Sequence, residues 1–116
     1  MPIVDVHCVG APVPAADALA DVIGDALHQP PGRVWVRLHP LPAEHYAENG
    51  DPLQGALPIF VSILHARPPA GAALRAEVAA LTQAVAAACG RPAERVHLEY
   101  APAGAGRIAF GGRLVE

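Results

Sequence analysis

Lysine is absent from this chain of 116 residues, and all eight basic residues are arginines. Against the acidic residues they leave a formal charge of −3, with no basic stripe, so nucleic acid is not an expected partner. Aromatic residues amount to 4%, which leaves the core to Ala, Val, Leu and Ile. Cys8 and Cys89 match no metal or redox spacing and read as reduced, buried thiols. His7, His28, His39, His45 and His65 show no metal-ligand spacing either, so no metal is expected. No apolar run approaches the roughly 18 residues a membrane span needs. No charged segment leads into an apolar one at the start, so no signal peptide is expected. Together these features point to a single cytoplasmic domain over residues 1–116.

What is present is a pattern used twice. Residues 2–9 are rich in Val and Ile and read as a strand, which Pro12 and Pro14 end. Asp17 to His28 carries Leu19, Val22, Ile23, Ala26 and Leu27 at helical spacing, stopped by Pro30-Pro31-Gly32. A strand follows in which Val34, Val36 and Leu38 face one way and Trp35, Arg37 and His39 the other. A polar loop runs from Leu41 to Gly50. The second round has a strand over Pro58–Leu64, ended by Arg67-Pro68-Pro69, and a long Ala-rich helix over Ala72–Ala88. Next comes a strand with Val96, Leu98 and Tyr100 on its apolar side, His97 and Glu99 opposite. The segment from Ala101 to Gly112 reads as a loop. Arg33-Val34 and Arg95-Val96 recur at an interval of 62 residues, and so do Gly50 and Gly112.

Pseudo-repeats of about 2–50 and 58–112 imply an α+β fold: tandem β-α-β units, a four-stranded mixed sheet, and two helices on one face. The other face carries Trp35, Arg37, His97 and Glu99. An indole is rarely left on an open sheet, so this face is expected to meet another copy.

Met1-Pro2 adds chemistry. Removal of Met1 would leave Pro2 as a free secondary amine, and burial or a nearby cation would keep that nitrogen neutral and basic near pH 7.

Met1-Pro2-Ile3-Val4, the stretch from His28 to Val36, the strand Glu94–Tyr100 and the closing Phe110-Gly111-Gly112 resemble the tautomerase superfamily. That group includes 4-oxalocrotonate tautomerase, 5-carboxymethyl-2-hydroxymuconate isomerase and macrophage migration inhibitory factor. The resemblance covers nearly the whole chain and implies a double-unit, homotrimeric, cofactor-free isomerase. On it, Pro2 matches the proline that moves the proton, and Arg67 matches a pocket residue that grips a substrate carboxylate. Trp35 takes the position of a second substrate arginine, with Arg37 two residues on and on the same face. Tyr46 matches a pocket phenylalanine, His97 a site tyrosine, and Ile108 a second phenylalanine. Glu48 matches a water-activating glutamate of dehalogenase relatives.

The implied reaction is proton transfer between the enol and keto forms of a small unsaturated keto acid. An enolate needs donors where its charge develops, and a bidentate arginine orients an acidic substrate. Two other readings share the scaffold. One is a hydratase, dehalogenase or decarboxylase of unsaturated acids with Glu48 activating water; the other is a non-catalytic trimeric binding protein.

Overall fold

Val and Ile make the first strand, and its even-numbered residues Val4, Val6 and Cys8, joined by Val9 at its end, are the ones that disappear from solvent. The computed structural model describes residues 1–116. In it β1 spans Ile3–Val9, α1 Ala16–Ala26, β2 Trp35–Leu41, β3 Ile59–Leu64, α2 Gly71–Cys89 and β4 Val96–Tyr100. A short hairpin, β5 (Ala109–Phe110) and β6 (Arg113–Leu114), ends the chain. The sheet order is β2-β1-β3-β4. β1 pairs parallel with β2, starting at Ile3 opposite Trp35, and antiparallel with β3, with Ile3 opposite Leu64. β3 pairs parallel with β4. The architecture is the expected α+β one, a mixed four-stranded sheet with both helices on one face.

The core lies between that face and the helices. Val4, Val6 and Cys8 of β1 and Ile59, Val61 and Ile63 of β3 meet Leu19 and Ile23 of α1 and Leu81, Val85 and Cys89 of α2. Each large aliphatic side chain so buried contributes about 1.5–3 kcal/mol. Both cysteines are free and buried. Burial pushes the Cys89 thiol up to about 11 and raises that of Cys8, so both are poor nucleophiles. Length and composition alone would let α2 cross a membrane. Arg75 and Glu77 interrupt it, and its Leu81, Val85 and Cys89 stripe packs on the sheet.

Three local features differ from the sequence reading. α1 stops at Ala26, two residues before His28, because His28 adopts a left-handed conformation (φ 54°) and its N–H turns back to the Asp25 carbonyl. The segment after Ala101 is not loop throughout. Gly111 and Gly112 both take positive φ, 55° and 84°, which suits the tight turn between β5 and β6. Strands of two residues are too short to leave a period.

The third feature is Arg91. α2 ends on Gly90 in a left-handed cap (φ 64°), and Arg91 then turns inward until it is 7% exposed. Its guanidinium donates to the carbonyls of Val9 (2.8 Å), Leu57 (2.7 Å), Gly10 (3.2 Å) and Pro12 (3.0 Å). No carboxylate takes part. One side chain thus ties the end of β1, the loop after it and the approach to β3 to the end of α2.

Candidate functional site

The sheet has one end where the strands place the N-terminus beside the exits of β3 and β4. Pro2 stands there, its ring fully buried and its carbonyl accepting from the Trp35 N–H at 3.1 Å. The amine in front of it is held below its ordinary range, first by burial and then by the Arg33 charge. β3 runs antiparallel to β1, so the chain leaves Leu64 at this same end and Arg67 follows. Arg67 is exposed and donates to the backbone oxygen of Glu116. That contact folds the C-terminal segment back toward the end of β3, where Gly104 and Ala105 also donate to the carbonyls of His65 and Ala66.

Beside Pro2 runs a groove of about 470 Å³, lined by Ile3, Val34, Trp35, Val36, Arg37 and Phe110. Trp35 and Phe110 stack with centroids 4.6 Å apart, so the last hairpin supplies one wall. The indole nevertheless stays 40% exposed. A mainly apolar wall next to a desolvated amine is an environment that favours a neutral nitrogen.

Arg37 lies further along the same face and is already engaged. Its Nε and Nη2 each donate to Asp5 at 2.8 Å, and His39 Nε2 meets the same carboxylate at 2.7 Å. The Arg37 bonds, with His39 assisting, hold the Asp5 carboxyl below its usual range. A depressed carboxyl stabilises the fold above its unfolded value, near 3.9, and loses that contribution as pH falls through the folded value. Asp5→Asn is therefore expected to cost about 1 kcal/mol at pH 7, a modest figure because Arg37 is largely solvated. At pH 2 it should cost almost nothing. Urea titrations at the two pH values check this; an equal cost at both would contradict it.

Tyr46 and His97 stand elsewhere. His97 pairs with Phe60, and Phe60 with His7, five residues along β1 from Pro2. At the strand rise that is roughly 16 Å. Tyr46 flanks the same Phe60, with ring centroids 5.8 Å apart, and His97 lies 5.3 Å from it on the other side. Pro2, Arg67, Trp35 and the groove thus share one end of the protomer, whereas Tyr46 and His97 share the other. Glu48 belongs with the second group. It accepts from Tyr46 Oη at 2.6 Å and from Arg95 Nη2 at 3.2 Å, and those donors, Tyr46 foremost, keep its carboxyl low and ionised. A carboxylate so satisfied is a weak base.

Sequence reasoning missed three groups at the Pro2 end. Ile3 and Phe110 line the groove, and Arg33 acts on the N-terminal amine. A signal for Arg33 was present, since parallel pairing of the first two strands puts residue 33 alongside residue 1.

No family model matches the sequence, and no curated protein matches it. Solved structures do match in shape. A fused 4-OT that forms a symmetric trimer superposes with a TM-score of 0.73 at 23% identity, covering 97% of this chain and 94% of that one. The macrophage migration inhibitory factor of Trichinella spiralis gives 0.72 at 14% identity, with coverage of 97% and 98%. Malonate semialdehyde decarboxylase gives 0.69 at 15% identity, with coverage of 96% and 92%. At these identities the likeness is one of fold: the chain shares its α+β architecture with the fused 4-OT, the macrophage migration inhibitory factor and the decarboxylase.

Proposed function

We propose that the chain is a cofactor-free tautomerase of small unsaturated keto acids, working in the cytoplasm as a homotrimer with Pro2 as its base. The observation that carries this is the N-terminus itself, where a buried proline sits behind a desolvated amine, next to an aromatic groove and a cation. Once Met1 is removed, the Pro2 nitrogen takes a proton from the carbon next to the substrate carbonyl. The electron pair moves onto the carbonyl oxygen, and the proton is returned elsewhere on the conjugated system. A base and hydrogen-bond donors suffice for this exchange.

Arg67 and Arg37 hold the substrate carboxylate. Arg37 does so with the N–H groups that Asp5 leaves free, so its grip is one-sided while Arg67 supplies the stronger hold. Trp35 forms the apolar wall. Tyr46 and His97 stand too far from Pro2 in their own protomer, so a second copy brings them. The open sheet face supports such assembly, because Trp35 and Phe60 are both exposed on it. The trimeric state of the structurally similar fused 4-OT agrees with it.

Arg67→Ala is expected to raise KM for a carboxylated enol about tenfold or more while leaving that for an uncharged enol nearly unchanged. Steady-state kinetics on the two substrates test the assignment, and equal effects on both would remove it.

A second reading draws on malonate semialdehyde decarboxylase, whose structural description covers decarboxylase and hydratase activities. It needs a water-activating base, and Glu48, tied to Tyr46 and Arg95, is poorly placed to be one. Water addition to an unsaturated acid by protein inert toward enols would favour that reading. Failure of both reactions in the processed protein would favour a non-catalytic binding trimer.

A further inference from the structure

Among the arginines at the Pro2 end, Arg33 has no partner. It makes no ion pair and no side-chain hydrogen bond, whereas Arg37 is bound to Asp5 and Arg67 to Glu116. Its position is set by the backbone. Pro30-Pro31-Gly32-Arg33 form a tight turn, closed by the Arg33 N–H on the Pro30 carbonyl at 3.2 Å, with Gly32 at φ 78°. Proline second and a positive-φ glycine third is the composition that rigidifies such a turn. Two residues later the Trp35 N–H binds the Pro2 carbonyl, and the parallel β1–β2 register runs on from Ile3 opposite Trp35. Extended backwards, that register sets Arg33 beside residue 1.

We infer that Arg33 is a positioning residue for the N-terminal amine: an exposed cation without a partner, carried by a fixed backbone turn alongside residues 1 and 2, that favours the uncharged nitrogen. This rests on the reading of the N-terminus as the base and adds what keeps that base ready. A guanidinium remains charged at every working pH, so its repulsion of an ammonium does not fade where the amine titrates. The downward displacement of the N-terminal amine, in which the Arg33 charge follows burial as a cause, agrees with the geometry. Other ionisable groups cluster at this end of the sheet. His28 follows α1, His65 is bound to Glu77 of α2, Arg67 follows β3 and meets Glu116, and Arg107 and Arg113 lie on the C-terminal segment that packs here, also without a side-chain partner. Glu77 is itself engaged by His65 at 2.8 Å and Tyr100 at 2.7 Å. Of these cations Arg33 is the one that the β1–β2 register sets beside residue 1 and whose charge bears on the amine.

The test is a pH titration of the N-terminal nitrogen by ¹⁵N NMR in wild type, Arg33→Gln and Arg33→Lys. Intact mass would identify the terminal residue in each, and circular dichroism would confirm that each is folded. Arg33→Gln should raise the midpoint by about half a unit, as expected for one solvated charge at short range. Arg33→Lys should stay close to wild type. Added salt should raise the wild-type midpoint toward that of Arg33→Gln and leave the variant nearly unmoved. A midpoint in folded Arg33→Gln equal to wild type would overturn the inference. The acid limb of kcat/KM for a 2-hydroxymuconate-type acid should move upward by the same amount. A shifted nitrogen midpoint without turnover in wild type would sustain the role of Arg33 and count against the tautomerase reading alone. Turnover with an unmoved midpoint would do the reverse.

Discussion

Pro2→Ala is expected to lower enol–keto turnover by about a hundredfold or more, the usual contribution of a positioned general base, while the protein stays folded. The variant keeps an N-terminal amine once Met1 is removed, so charge at the terminus is not what changes. It loses the ring, which is fully buried at the head of β1, and with it the fixed direction of the nitrogen lone pair. Alanine at this position removes a few methylenes from the edge of the core and leaves the Val4, Val6 and Cys8 contacts intact. Steady-state kinetics and a thermal melt on the same preparation separate the two effects. Wild-type rates in a folded variant would sink the assignment of Pro2 as base.

The largest stability effect is expected at Arg91. Arg91→Met should cost about 3 kcal/mol or more, because four carbonyl oxygens that share one guanidinium would lose their donors together. The gain from removing a buried charge and its unpartnered Nε offsets part of this loss. Arg91→Lys should recover only some of it, since an ammonium has three donors and none of the fork geometry. Urea midpoints of the three proteins measure the difference. An Arg91→Met midpoint equal to wild type would show that the loop after β1 and the approach to β3 hold without the clamp.

Much of the scaffold was legible because its elements carry strong local signals. The alternation in β1 and β2, the Pro-Pro-Gly stop after α1 and Gly90 after α2 each follow from side-chain direction or backbone freedom, which a sequence displays directly. Arg91 was illegible for the opposite reason, and Arg33 could be reached only through the pairing of the first two strands. An arginine reads as surface charge until the fold shows whether carbonyls surround it or an amine lies beside it. The β5–β6 hairpin escaped notice because two-residue strands have no period, although Gly111-Gly112 marks its turn.

The site divides along the same line. Pro2, Trp35 and Arg67 could be placed at one end of a sheet from strand order alone, since β1 begins where β3 ends. Tyr46 and His97 flank Phe60 at the other end, and the route proposed to bring them to a Pro2 is a relation between chains that no single sequence displays. The engagement of Arg37 by Asp5 was equally hidden, because it depends on the cross-strand register between β1 and β2.

The measurement closest to the central claim joins intact mass with a ketonisation assay on one sample, using phenylenolpyruvate or 2-hydroxymuconate. Protein lacking Met1 should turn the enol over, and the same chain with Met1 retained should not, since acylation of the Pro2 nitrogen removes its basicity. Equal turnover by both forms, or none from fully processed, folded protein, would contradict the account.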